Sequence, residues 1–104
     1  MGLVAKIARD AGISVRHTAS MELISAKDLA AFLEAARTRQ AYIVGLEGFR
    51  SAEGQIIPDM DAIADFTALA DAPDGAERTI AEALRFLSEV KSPDLFYDVI
   101  VREQ

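Results

Sequence analysis

Two stretches of this 104-residue chain, "AYIVGLEGF" at 41–49 and "DLFYDVIVRE" at 94–103, carry β-branched and aromatic residues on both of their alternating faces. Such side chains pack well on a pleated surface and lose rotamer freedom in a helix, so both stretches are expected to be strands. In the first, Tyr42, Val44 and Leu46 alternate with Ile43, Gly45, Glu47 and Phe49. In the second, Leu95, Tyr97, Val99 and Val101 alternate with Phe96, Asp98, Ile100 and Arg102. Although 51% of the chain is hydrophobic, nineteen residues are alanine, which leaves the large apolar groups to a few patterned segments.

Three segments follow a helical pattern. Leu3, Val4, Ile7, Ala8 and Ala11 predict a helix over 3–11 stopped by Gly12. Ser25 precedes Lys27 and Asp28 as an N-cap, and Leu29, Phe32, Leu33 and Ala36 form one stripe of a helix over 25–39. Ile80, Ala83, Leu84, Leu87 and Val90 mark the longest helix, 75–91. Residues 13–20 alternate weakly and read as a short strand. "RSAEGQ" reads as a hairpin turn closed by Gly54, with "QII" returning as a short strand that Pro58 stops. Pro58 and Asp59 then read as the entrance to a further helix, with Met60, Ile63, Ala64 and Phe66 to Leu69 as its stripe and Asp59 and Asp61 near the positive end of its dipole. The expected fold is α/β (α+β) over a single domain, 1–104: a small antiparallel or mixed sheet of three to four strands covered by three to four helices.

Cysteine is absent, so neither a disulfide framework nor a thiolate metal site is open to this chain. Its apolar runs fall far short of the roughly 20 residues that span a bilayer, and Lys6, Arg9 and Asp10 interrupt any signal-peptide core. A cytoplasmic protein without membrane contact is expected. The net charge of −6 is uneven: residues 1–40 carry six basic and four acidic side chains, residues 41–104 five basic and thirteen acidic. That field repels phosphate backbones and favours a basic partner.

Few motifs carry chemistry. "DMDAIAD" offers Asp59, Asp61 and Asp65, but Ile63 and Ala64 stand where a calcium loop needs a ligand and a glycine, so no metal is expected. The one histidine, His17, lies among hydroxyls with no base-and-acid arrangement around it. "GLEG" and "EGFRSAEG" lack the lysine and hydroxyl of a nucleotide loop, and no cofactor is expected. If strands 41–49 and 94–103 pair, Glu47 and Asp98 approach one another and one of the two carboxyls is pushed up in pKa, the one feature that suits a small enzyme using paired carboxylates. "IARDAGISVRHTAS" resembles the first helix and turn of a helix-turn-helix, which implies a DNA-binding regulator, against the overall charge.

The expected function is that of a small, acidic, non-enzymatic protein-binding domain, with the size and charge profile of immunity or antitoxin proteins that neutralise a basic partner. The candidate contact residues are Glu47, Glu53, Asp59, Asp61 and Asp65, with Tyr42 and Phe49 as aromatic anchors. A homodimer is compatible with the sequence, and nucleic acid is not an expected partner.

Overall fold

The computed structural model describes residues 2–90 and 92–103. In chain order these form α1 (Leu3–Ala11), β1 (Arg16–His17), β2 (Glu22–Ser25), α2 (Ala26–Thr38), β3 (Tyr42–Ala52), β4 (Gln55–Asp65), α3 (Thr67–Ala70), α4 (Gly75–Glu89) and β5 (Phe96–Arg102). The strands make one antiparallel sheet in the order β1-β2-β5-β3-β4. The fold is thus α+β as expected, with five strands rather than three or four.

Local signals account for most of these elements. Gly12 caps α1, its backbone N–H donating to the Ala8 and Arg9 carbonyls. The Ser25 hydroxyl accepts the Lys27 N–H at 3.3 Å and starts α2. Glu53 and Gly54 both hold positive φ, 51° and 79°, so the β3–β4 connection is a two-residue turn of the kind whose twist matches a hairpin.

Two expectations are corrected. The segment after Pro58 is not a helix: β4 continues to Asp65, and only Thr67–Ala70 is helical. Proline is tolerated there because β4 is the edge of the sheet, where a missing N–H breaks no ladder. The inward residues are Ala62, Ala64 and Phe66, a period of two, whereas Met60 and Ile63 of the supposed helical stripe are 76% and 41% exposed. The second correction lies at 13–25. The short strand is only Arg16–His17, and it pairs with an unpredicted strand, Glu22–Ser25, whose Leu23 and Ile24 are both fully buried. No helix follows α1 before α2, so the segment that resembles a helix-turn-helix runs into strand.

The helices lie on one face of the sheet. Ile24, Ile43, Leu46, Tyr97 and Val99 meet Ile7, Leu29, Phe32, Leu33, Ile80 and Ala83 in one buried cluster. Leu84 and Leu87 are only half-buried, which places the centre of the α4 stripe at Ile80 and Ala83. Thr79, fully buried, ties α4 to β3: its hydroxyl accepts the Ile43 N–H at 3.0 Å and donates to the Ala76 carbonyl at 3.2 Å. Close by, β3 bulges, so that Ile43 opposes Val101 but Gly45 opposes Ile100. A second irregularity lies between Glu47 and Phe49, where β4 folds in so tightly that a Cβ on Gly48 would stand 2.5 Å from the Ala62 Cβ.

Two buried hydroxyls should therefore respond in opposite ways. Thr79→Val leaves the Ile43 N–H unpaired and is expected to lower stability by about 1–3 kcal/mol. Among the described residues the Tyr97 hydroxyl has no hydrogen-bond partner, so Tyr97→Phe should leave the urea midpoint unchanged or raise it. A Tyr97→Phe midpoint well below that of the unsubstituted chain would contradict this packing.

Candidate functional site on the open face of the sheet

Residues directly opposite one another on neighbouring strands point to the same face of a sheet. The register therefore draws a continuous row across all five strands: Arg16, Leu23, Asp98, Glu47, Ile63. Next to it on the same face run Ser25, Phe96, Phe49 and Pro58 on one side, and Ile100, Gly45 and Asp65 on the other. This is the face that the helices leave open. Leu23 and Phe49, though buried, stand outside the helix-covered cluster, and the Arg16 guanidinium lies over the Phe96 ring at 4.7 Å.

The open face is divided in character. Around Phe96 it is closed over by Arg16, and Phe49 is only 7% exposed. Around Gly45 it is a trough of about 300 Å³, bordered by Val44, Ile63, Ile100, Glu47 and Asp65. Ile63 and Ile100 remain 41% and 42% exposed there. A glycine in the middle of a three-strand row leaves a gap between its neighbours.

Glu47 and Asp98 are cross-strand partners, as their positions in two apolar strands suggested. The Asp98 carboxyl is pushed above the usual aspartate range, first by burial, then by the negative charges of Glu47 and Glu22. Asp65 is displaced the other way, held low by hydrogen bonds from the Thr67 hydroxyl and backbone N–H. The ionisation of one carboxyl on this face is opposed and that of another is favoured.

Of the residues predicted to form a contact surface, the structure brings Glu47 and Asp65 together and adds Asp98, which lies outside the acidic stretch in sequence. The others disperse. Glu53 sits in the hairpin turn. Asp59 and Asp61 belong to the irregular part of β4, where the Asp59 carboxylate accepts the Asp61 N–H at 3.0 Å. Phe49 is too buried to be an anchor, and Tyr42 stacks under the Arg102 guanidinium at 5.0 Å at the far end of β3. His17 is exposed on the two-residue edge strand. Among the described residues no group of three or more histidines or carboxylates could hold a metal ion.

Among the described residues charge pairing is concentrated on the helix side of the molecule, where Asp28 of α2 is the exception. The ion pairs found among the described residues join Arg37 to Glu34 and Glu77, Arg39 to Asp10, Arg78 to Asp74, Arg85 to Glu82 and Glu89, and Arg102 to Asp71. Every one of these carboxylates belongs to a helix or a helix-flanking loop. None of the pairs includes Glu47, Asp65 or Asp98. A smaller concavity, about 190 Å³ at the amino end of α4, contains Arg37, Asp74 and Glu77, whose charges already have partners. No helix is long and apolar enough to cross a membrane among the described residues. Compared with protein-family models, curated proteins and solved structures, the chain matches none.

The raised Asp98 pKa makes a stability prediction with a definite sign. Its protonated form is favoured by the fold, so Asp98 contributes stability below its ordinary value of 3.8 and loses it as pH rises through the folded-state value. At pH near 7, Asp98→Asn should raise the denaturation midpoint, and the difference from the unsubstituted chain should close on acidification below that value. Glu47→Gln should lower the Asp98 titration midpoint, read by carboxyl carbon NMR, but leave it above the ordinary range because burial is the larger cause.

Proposed function

We propose that this protein is a non-enzymatic protein-binding domain whose open sheet face receives a basic partner, in the manner of small acidic proteins that neutralise a cationic toxin or nuclease. The observation that carries this reading is the segregation of charge pairing. Among the described residues the carboxylates of the helices, Asp28 excepted, are matched by arginines of the same chain, whereas Glu47, Asp65 and Asp98 enter no ion pair and stand beside exposed isoleucines. An apolar patch rimmed by uncompensated charge of one sign is suited to a surface of the opposite sign.

The sheet's edges support use of the face rather than strand addition. One edge is the two-residue β1, and the other, β4, is interrupted by Pro58 and a break in register. Both features discourage pairing with an added strand. A second copy of the chain is also disfavoured, because a two-fold axis near the centre of this face would bring Glu47 and Asp98 against their own equivalents. Nucleic acid is disfavoured by the same charges. The Glu47–Asp98 pair is what an acid–base enzyme would use, but it stands on an open face rather than in an enclosed, water-excluding site.

The reading is tested by affinity capture from the native host, using the unsubstituted chain and the Glu47→Gln/Asp98→Asn variant side by side. The expected result is a basic protein retained by the first and depleted with the second, with an association rate that falls as salt shortens the screening length from about 8 Å at physiological ionic strength. Retention of the same proteins by both baits, or retention only of acidic ones, would overturn it.

A further inference from the structure

We infer that the trough over Gly45 is a subsite for one arginine side chain of the partner, with the aliphatic stem against Ile63 and Ile100 and the guanidinium between Glu47 and Asp65. The inference rests on the protein-binding reading above and specifies what the partner inserts.

Six positions define the site. Ile100, Gly45 and Asp65 form one row, and Asp98, Glu47 and Ile63 the next, on β5, β3 and β4 respectively. Apolar and acidic side chains share this grid, and only Gly45 lacks a side chain. Directly opposed neighbours in such a grid stand about 5 Å apart and diagonal ones about 7–8 Å. A chain of three methylenes laid over Gly45 therefore touches isoleucine while its tip reaches the carboxylates that border the trough, Glu47 on β3 and Asp65 on β4. Gly45 owes its place here to space rather than to a left-handed backbone: it is buried, and an added Cβ would meet the Ala64 carbonyl oxygen at 3.1 Å and the Ile100 Cδ1 at 3.8 Å.

The chemistry of the occupant follows from the two carboxylates that border the trough, Glu47 and Asp65, which enter no ion pair among the described residues and are complemented by a positive charge. Arginine fits better than lysine because its planar, weakly hydrated fork presents five N–H donors to carboxylates in different directions and lies flat on aliphatic carbon. No arginine of the chain itself serves: Arg16 lies over Phe96, and Arg102 is held by Tyr42, Asp71 and the Ala70 carbonyl.

The test is a ¹⁵N–¹H NMR titration of the full chain with N-acetyl-arginine methylamide, the corresponding lysine derivative and the uncharged norleucine derivative. The expected result is saturable movement of the Gly45, Glu47, Ile63, Asp65 and Ile100 amides with the arginine derivative, weaker binding of lysine and none of norleucine. Glu47→Gln/Asp65→Asn should weaken the arginine affinity about tenfold or more while the rest of the spectrum keeps its dispersion. Gly45→Ala should weaken it as well, by filling the trough. Equal shifts with norleucine, equal affinity for lysine, or arginine shifts unaffected by the double substitution would overturn the subsite. If the arginine derivative leaves these amides still while a captured basic protein is nevertheless released by Glu47→Gln/Asp98→Asn, the subsite falls and the protein-binding reading stands.

Discussion

At the bulge in β3, the Ile43 N–H points to a hydroxyl buried in α4 rather than continuing an uninterrupted ladder. That hydrogen bond, from Ile43 to Thr79, couples the longest amphipathic helix to the strand that sits between β5 and β4. The shift it accompanies decides which residue of β3 opposes Ile100. Because side chains alternate with a period of two, a one-residue change of phase exchanges the buried and open faces. With the observed phase, Leu46 goes to the helices and Glu47 to the open face; Gly45 falls between Ile100 and Asp65, where its missing side chain makes the trough.

The open face then carries a cost within the folded chain. Asp98 is partly desolvated and stands opposite Glu47, and both effects oppose its ionisation. Replacing either carboxylate by an amide would relieve the repulsion without loss of volume, so stability alone does not explain their placement together. Perturbed ionisable groups of this kind concentrate where a ligand or partner supplies the missing charge. The helix side shows the contrast, since its carboxylates, Asp28 excepted, are paired within a turn or across neighbouring helices on the surface and contribute little either way.

The acidic stretch from Glu47 to Phe66 therefore has several roles. Its turn residues close the hairpin, Asp59 organises the irregular edge of β4, Asp65 braces the start of α3, and only Glu47 and Asp65 face the trough. Proximity along the chain does not make a surface, because neighbours in a strand alternate between faces and a hairpin carries its tip away from its base.

By itself the sequence determined those elements whose signals are local: α1 and α2 from apolar spacing and their caps, α4 from its stripe, β3 and β5 from branched and aromatic content, and the hairpin from Gly54. It also determined that Glu47 and Asp98 would meet if those two strands paired. Only the tertiary structure decided β4, because Ala62 and Ala64 are small enough to be read with either period and a helix and an edge strand both tolerate Pro58. Only it decided β2, where Leu23 and Ile24 are buried on opposite faces and so show no alternation over four residues. The identity of the open face was likewise undecidable from sequence: β3 and β5 carry apolar groups on both sides, and which side the helices cover depends on the bulge beside Thr79, a contact between residues 36 positions apart.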